Sequence, residues 1–505
     1  MKPKGSEGID RRTFVKTVAG TLAAPAVSSL SAQAQMAGGG SAASKRRPPN
    51  IIIMICDDLG SGDLHCYGSS LKTPNLDRMA SEGVRFTRFN TAHPICSASR
   101  AALLTGRYAS RSHVAGAYGP SSPDGMDLDE KTLADILKPS GYKSMCIGKW
   151  HLGYPKEYLP TSRGFDSFFG VPWSVDMNPF PLVKDTTVIE ELPDRHMLTP
   201  RYTEEAVKFI DSSAAGPFLL YVAYSYPHDP PRSSPRFRGH SGLGHQGDAI
   251  EEIDWSVGEI LKAVHRNGLD QNTLLFFTSD HGPWFQGCPG PRRGRKATTF
   301  EGGTRIPFIA RWTGTIPAGR VTDEWGSNMD VVPTVASFCG AQPPPNPLDG
   351  VNLSGLLTGK QSQIDRSTIL YFAVSHHQQV LECARKGNWK LRIAQGNGEI
   401  YINDWLGGSC LPKKRLLLPL PELYNLELDP AESYDAAVDH PSKVREIQQD
   451  IEALIPTFPE NVQKAYADLK ANPGSPMTPP GAASRPGNLV APKWIWIPQS
   501  RRGKS

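Results

Sequence analysis

No stretch of this 505-residue chain stays apolar for the length that a membrane-spanning helix needs. Stable membrane insertion is therefore not expected. A strong net charge is missing as well, since 55 lysines and arginines face 50 acidic residues and leave +5. Residues 1–34 hold five basic and two acidic side chains, so the rest of the chain carries only about +2. Such a balance gives no case for nucleic-acid binding, and any preference for anions has to be local. The eight cysteines (Cys56, Cys66, Cys96, Cys146, Cys288, Cys339, Cys383 and Cys410) contain no Cys-x-x-Cys pair and no zinc spacing. Eight in a chain this long do not make a small disulfide scaffold, and their pairing cannot be read from the sequence. No internal repeat is present.

What is present begins with an export pattern. Asp10-Arg11-Arg12-Thr13-Phe14-Val15-Lys16 is a twin-arginine motif, followed by a mild apolar stretch from Thr17 to Leu30 and a small-residue cleavage site at Ala32-Gln33-Ala34. Residues 1–34 are thus expected to be a signal peptide handled by twin-arginine export machinery, giving a periplasmic or extracellular protein. Residues 35–48, rich in Gly, Ala and Ser, read as a flexible linker. The 48 glycines and 45 prolines point to long ordered loops between elements.

From residue 49 strands and helices alternate. Asn50 to Cys56 is a β-branched run that predicts a strand buried on both faces, and it ends in Asp57-Asp58. Ligands in open α/β sheets collect at the carboxyl ends of strands, so the acid pair is a metal candidate; turn capping is the plainer alternative. Further strands are expected at Val84–Phe89, Tyr142–Ile147, Phe218–Tyr224, Thr273–Thr278 and Ile306–Trp312. Helices are expected after Thr73-Pro74, over Lys131–Pro139, Arg201–Ser212, Ile250–Asn267 and Met329–Cys339. Three more strand ends carry polar residues: Gly148-Lys149-Trp150-His151, Tyr226-Pro227-His228 and Ser279-Asp280-His281. Residues two apart in extended chain share a face, so Lys149 and His151 can enter one cleft together. A surface lysine beside a core histidine would fit the same letters.

After Gln342-Pro343-Pro344-Pro345 the pattern changes to short strands without crossover helices: Thr368–Val374, Gln379–Arg385, Trp389–Ile393 and Leu423–Leu426, then a helix Lys443–Leu454. This implies a domain over 49–342, an antiparallel α+β subdomain over 343–469 that completes the fold, and a loose tail over 470–505 with Trp494 and Trp496. The expected class is α/β, with a large, mostly parallel sheet sandwiched by helices.

The most informative stretch is His93-Pro94-Ile95-Cys96-Ser97-Ala98-Ser99-Arg100, running into Ala101-Ala102-Leu103-Leu104-Thr105-Gly106-Arg107. Small residues after Cys96 let a helix start there, which puts the cysteine at the end that attracts anions. Arg100 adds a fork for two oxygens. A buried structural thiol is the bland alternative. Cys96-Ser97-Ala98-Ser99-Arg100 with its Leu-Thr-Gly-Arg tail, and Gly148-Lys149-Trp150-His151-Leu152-Gly153, resemble the formylglycine-dependent (type I) sulfatases of the alkaline phosphatase superfamily. Most members have proline where this chain has Ala98, and many have asparagine where it has His281. The resemblance is strong over residues 49–315 and weaker to about 430.

That resemblance implies an alkaline-phosphatase-like fold and conversion of Cys96 by a maturation enzyme to formylglycine (3-oxoalanine). It implies one divalent cation, calcium first, on Asp57, Asp58, Asp280, His281 and the modified residue 96, since carboxylate oxygens suit a hard ion and thiol sulfur does not. In the family the aldehyde hydrate attacks sulfur. Lys149, Lys296 and Arg100 would then hold the sulfate oxygens, His228 or Lys296 would protonate the leaving oxygen, and His151 would act as base. The expected substrate is a sulfated small molecule or oligosaccharide, with aryl sulfates as surrogates. Trp173–Val183, Arg232–Gly247, Pro283–Arg293 and His376-His377 are candidate pocket walls. A phosphatase, phosphodiesterase or phosphonate hydrolase of the same superfold, or an inactive glycan-binding relative, are the competing readings. The export motif makes the first prediction. Replacing Arg11 and Arg12 by lysine should leave the precursor in the cytoplasm on fractionation, and normal export of that variant would refute the assignment.

Overall fold

Every residue of β1 (Asn50–Cys56) is buried, and its side chains alternate between two separate apolar layers. Ile51, Ile53 and Ile55 join one layer and Ile52, Met54 and Cys56 the other, as a period of two requires. A strand covered on both faces belongs at the centre of a sheet, and β1 lies there. The computed structural model describes residues 47–114, 116–375, 378–395 and 416–471. The signal peptide over 1–34, most of the 35–48 linker, His376-His377, Cys410 and nearly all of the 470–505 tail lie outside the described residues.

The main sheet continues with β2 (Val84–Asn90), β3 (Lys143–Lys149), β4 (Ser167–Val171), β5 (Leu182–Lys184), β6 (Thr187–Glu190), β7 (Phe218–Ala223), β8 (Thr273–Ser279), β9 (Phe308–Arg311) and β10 (Arg320–Ser327). Its order is β10-β2-β9-β8-β1-β7-β3-β4-β5-β6. The five central strands, β8-β1-β7-β3-β4, are all parallel; β9 runs antiparallel to both its neighbours, as does β5, and β6 pairs antiparallel with β5 at the far edge. Helices Pro74–Ser81, Leu198–Ser213 and Gly244–Arg266 cover the Ile52 face, whereas Cys96–Thr105, Leu133–Leu137 and Val331–Cys339 cover the Ile51 face. The large, mostly parallel sandwich expected from the alternation is the fold.

A second sheet is antiparallel, in the order β11 (Ile369–Ser375), β12 (Gln378–Lys386), β13 (Trp389–Gln395) and β14 (Leu416–Asn425). Its apolar layer takes in helices Pro441–Leu454 and Glu460–Ala471 and also Ala102, Tyr108 and Met329 from the first part of the chain. The Cys96–Thr105 helix is therefore enclosed on both sides. Ala98, Ala101, Leu103 and Leu104 face the main sheet while Ala102 faces the second, and all ten residues are buried. Only small residues permit such close approach, which accounts for its run of serines and alanines. Gly106, with φ +72°, ends it in the left-handed conformation.

Several elements differ from the sequence expectation. Strands β4, β5, β6 and β10 are not part of the sequence expectation; Phe168-Phe169-Gly170-Val171 of β4 is short and glycine-interrupted. The long helix starts at Gly244 rather than Ile250, since its first turn is polar. The strand register is what matters for function. Cys56 pairs with Ser279, Ile55 with Ala223, and Gly148 with Ala223, so β8, β1, β7 and β3 end level with one another. Residues just past those ends are thereby collected on one edge of the sheet.

Gly148 is needed for that alignment. It has φ +93°, and a Cβ built on it would lie 1.9 Å from the carbonyl oxygen of Ala223. Gly148→Ala should cost ~1–2 kcal/mol from the backbone alone and more from the contact. Calorimetry should find a lowered Tm, and an unchanged Tm would show that β3 and β7 tolerate separation here.

Candidate active site

Asp57 and Asp58 follow the last residue of β1, and Asp280 follows the last residue of β8. Asp58 takes a left-handed backbone, φ +66°, which an aspartate tolerates better than most residues. Its N–H donates to Asp280 Oδ1 at 3.2 Å, and the His281 N–H donates to the same oxygen at 3.0 Å. Three carboxylates with essentially no exposure are thus drawn together. Such a group survives in a dry interior only beside compensating cations.

Three cations supply that compensation. Lys149, the last residue of β3, sets Nζ 2.6 Å from Asp57 Oδ2. Lys296 donates to both oxygens of Asp58 at 2.8 and 2.9 Å from a loop whose next residue, Ala297, is left-handed at φ +70°. Arg100 comes from the enclosed helix: Nε and Nη2 reach Asp280 Oδ2 at 3.2 and 2.9 Å, and Nη1 reaches the Lys149 carbonyl at 3.1 Å. Its Nη2 also lies 3.4 Å from Asp57 Oδ1. Burial alone would push the Asp57 carboxyl up; Lys149, His228, Arg100 and Lys296 together hold it well below the usual carboxylate range. Asp58 is held down in the same way, chiefly by His228 and Lys296 against its burial.

Cys96 is the first residue of its helix, with Ile95 as an uncapped N-cap. Its Sγ lies 3.2 Å from His281 Nε2, and His281 Nδ1 donates to the Gly282 carbonyl at 2.9 Å. Burial pushes the thiol far above its ordinary value, more than Lys149 and Lys296 pull it down. Burial among carboxylates therefore favours the neutral thiol over the nucleophilic thiolate at this position. The helix start is pinned from behind. Ser99 Oγ donates to the Asp280 carbonyl and accepts from Thr91 Oγ1 at 2.7 Å, while Asn328 Nδ2 donates to the Ser99 carbonyl at 3.0 Å.

The remaining histidines occupy distinct positions. His151, left-handed at φ +61°, donates Nε2–H to the Tyr118 carbonyl at 2.8 Å, which leaves Nδ1 buried without a partner. Burial and then Lys149 hold it neutral, well below its ordinary value, so Nδ1 is a free acceptor. His228 donates Nδ1–H to the Asp229 carbonyl at 2.7 Å and sets Nε2 3.2 Å from Ser174 Oγ and 3.8 Å from Asp58 Oδ2. Ser174 Oγ also takes a 3.2 Å bond from Lys149 Nζ, so it bridges the two.

One network therefore joins Asp57, Asp58, Cys96, Arg100, Lys149, His228, Asp280, His281 and Lys296, and His151 is linked to it through Tyr118, whose carbonyl accepts from His151 and whose N–H donates at 3.2 Å to Ser97 Oγ, next to Cys96. Two overlapping sets, Asp57–Cys96–Asp280–His281 and Asp57–Asp58–Cys96–His228, each gather their donor atoms within 4.8 Å of one another. Asp57 Oδ1 has no hydrogen-bond partner although it is buried. An orphaned carboxylate oxygen amid further carboxylates is the donor set of a hard divalent cation. Sequence reading includes Ser174 only as part of the Trp173–Val183 wall and misses Tyr118 and Asn328. Ser174 stands three residues past β4, so the strand-end rule would have found it had β4 been recognised.

A parallel sheet that sets paired acids, a helix-start cysteine and buried lysines at its carboxyl edge defines an enzyme of the alkaline phosphatase superfamily. The chain belongs to the sulfatase family within it: the family model described as Sulfatase matches residues 49–341. It is 39% identical to arylsulfatase A of Bos taurus over 76% of this chain and 82% of that protein. N-acetylgalactosamine-6-sulfatase of Rattus norvegicus is 35% identical over 88% of this chain and 93% of its own length. The solved structure of the PsFucS1 sulfatase from Pseudoalteromonas sp. superposes with a TM-score of 0.72 at 27% identity, covering 84% of this chain and 92% of that one. The protein is a sulfatase, a hydrolase of sulfate esters.

Proposed function

We propose that this sulfatase removes sulfate from sugar sulfates outside the cytoplasm, using formylglycine made from Cys96 by a maturation enzyme and one calcium ion. The observation that carries this is the chemical mismatch at residue 96. A buried thiol that resists ionisation touches His281 and stands among hard carboxylates, where oxygen fits and sulfur does not. The sugar class follows from the similarity to N-acetylgalactosamine-6-sulfatase together with the export motif. Among the described residues no helix is long and apolar enough to cross a membrane.

Asp57, Asp58, Asp280 and His281 would hold the cation, which supplies fixed positive charge to the sulfate oxygens. As formylglycine hydrate, residue 96 supplies an oxygen nucleophile for sulfur and a second hydroxyl for the release of sulfate. The chain's own groups do the rest. Lys149, fully buried against Asp57, and Lys296, slightly exposed beside Asp58, stabilise the oxygens as negative charge builds. Arg100, fully buried behind them, acts through Asp57 and Asp280, whose orientation it sets. His151 Nδ1, unpartnered and neutral, is the acceptor for a hydroxyl proton. His228, with Lys296 as the second candidate, gives a proton to the departing oxygen.

Mass spectrometry of the peptide spanning Cys96 should find the aldehyde in active preparations, and sulfate should be released in preference to phosphate from paired aryl esters. Full activity with an unmodified thiol would sink this mechanism. Cys96→Ser should turn over at most once.

The role of His228 has a sharper test. General acid help is worth roughly 10²–10⁴-fold when the leaving oxygen is a poor one, such as a sugar alkoxide. A nitrophenolate needs little protonation. His228→Ala should therefore slow release from a sulfated sugar far more than from nitrophenyl sulfate. An equal loss on both would mean that His228 only anchors the sulfate.

A further inference from the structure

The sulfate site leaves unexplained a group of cations that begins four residues beyond His228. Arg232 forms part of the walls of two neighbouring cavities, of about 280 and 210 Å³. Asn178, Phe180 and Arg195 line the first as well, and His196, Arg238 and His245 the second. Arg195 stacks on Phe180, its Cζ 4.5 Å from the ring centre, and donates Nη2 to Asn178 Oδ1 at 2.7 Å. Arg232 donates Nη1 to His196 Nε2 at 3.1 Å, and His196 is fixed in that tautomer by donating Nδ1–H to the Ser233 carbonyl at 3.0 Å. The buried Nε of Arg232 has no partner. All of these hydrogen-bonding partners are neutral, so neither guanidinium charge is cancelled by them. Burial, and then Arg232 beside it, hold Arg195 below the usual guanidinium range, with Tyr226 and Asp176 opposing. Asp194, in the same wall, is engaged in capping the next turn through the His196 N–H at 2.9 Å.

Two chain segments tie these cavities to the sulfate site. Ser174, bonded to Lys149 and His228, precedes Asn178 by four residues, and His228 precedes Arg232 by four. Four residues span at most ~14 Å, which is within the reach of a short oligosaccharide. Like-charged, preorganised forks with unused N–H groups suit an oxyanion better than a neutral sugar face.

We propose that Arg195 and Arg232 form a subsite for the anionic substituent on the sugar next to the one that loses its sulfate. That substituent is a second sulfate ester or a uronate carboxylate, both being oxyanions that a guanidinium fork can grip. The assignment rests on the sugar-sulfate reading above. It makes the enzyme selective for multiply anionic glycans, with His196 as a positioning residue that holds Arg232 in place.

Binding can be read without turnover in the calcium-loaded Cys96→Ala protein. Three disaccharides carry the same target sulfate, with a neighbouring sugar that is neutral, carboxylated or sulfated. Calorimetry should give one of the two anionic forms a Kd about tenfold or more below the neutral form, as charge-assisted pairing predicts. Which form it is identifies the oxyanion. Adding Arg195→Gln or Arg232→Gln should shrink that preference, and the pair together should abolish it in a protein of unaltered Tm. Should the double variant not fold, the two single variants decide. Equal affinity for all three disaccharides, or a preference that survives both substitutions, overturns the subsite. A wild type that hydrolyses nitrophenyl sulfate but none of the disaccharides refutes the sugar reading instead, whatever the Kd values rank.

Discussion

Everything at the carboxyl edge of the sheet depends on balancing charge in a dry place. Asp57, Asp58 and Asp280 face Arg100, Lys149 and Lys296, all of them buried or nearly so. The Asp57–Lys149 and Asp280–Arg100 pairs have no exposure at all. Taking away one partner of such a pair strands a buried charge at about 3–5 kcal/mol. The machinery is thus also structural: Arg100 and Asp280 join the enclosed helix to β8, and Lys149 and Asp57 join β3 to β1. Three negative groups against three positive ones sum to neutrality, with His151 and His281 held neutral by burial. Adding a divalent cation to that neutral set leaves two positive charges in a low-dielectric pocket. A sulfate monoester, which carries one negative charge, is attracted into that field.

The second sheet supports the site from a distance. The loop carrying Lys296 continues as Thr299, Phe300 and Glu301, and each is gripped by the C-terminal strands. Thr299 donates to Glu382 at 2.6 Å and accepts from Arg392 at 3.0 Å, while the Phe300 ring is sandwiched between Arg293 and Arg392 at 4.0 and 3.8 Å. Glu301 pairs with Arg305 and Lys390, and its N–H donates to the buried Glu432 at 2.5 Å. The second sheet thereby fixes the lysine that faces Asp58, although among the described residues it contributes no group to the carboxylate cluster.

The legible part of this structure was the part written in short-range patterns. The isoleucine run of β1, the acids after it, the Lys149 and His281 strand ends and the Cys96 helix start could each be seen locally, because strand ends and helix starts present their polar residues in sequence order. That these segments are neighbours depends on the order β8-β1-β7-β3 and on Gly148 allowing β7 close, which no local pattern reveals. The place of Ser174 at the site was hidden because β4 carries a glycine and too few residues to stand out. Asn328 was hidden because its partners, Ser99 and Thr91, lie more than 200 residues away. The resemblance places Arg100 on the sulfate oxygens, where its fork would grip two of them. The packing instead turns it inward, onto the acids.

That inward turn separates the two ways arginine is used in this chain. Arg100 is bound through Nε and Nη2 to Asp280 and through Nη1 to the Lys149 carbonyl, so its charge is spent largely on a buried carboxylate. Arg195 and Arg232 are held by an aromatic face, an amide and an imidazole, which fix geometry without cancelling charge. A guanidinium neutralised by carboxylates stabilises a fold, whereas one held by neutral groups keeps its field for whatever enters the cavity. The same side chain therefore serves as keystone behind the carboxylates and as bait four residues beyond His228, and what distinguishes the two is the charge of the partners.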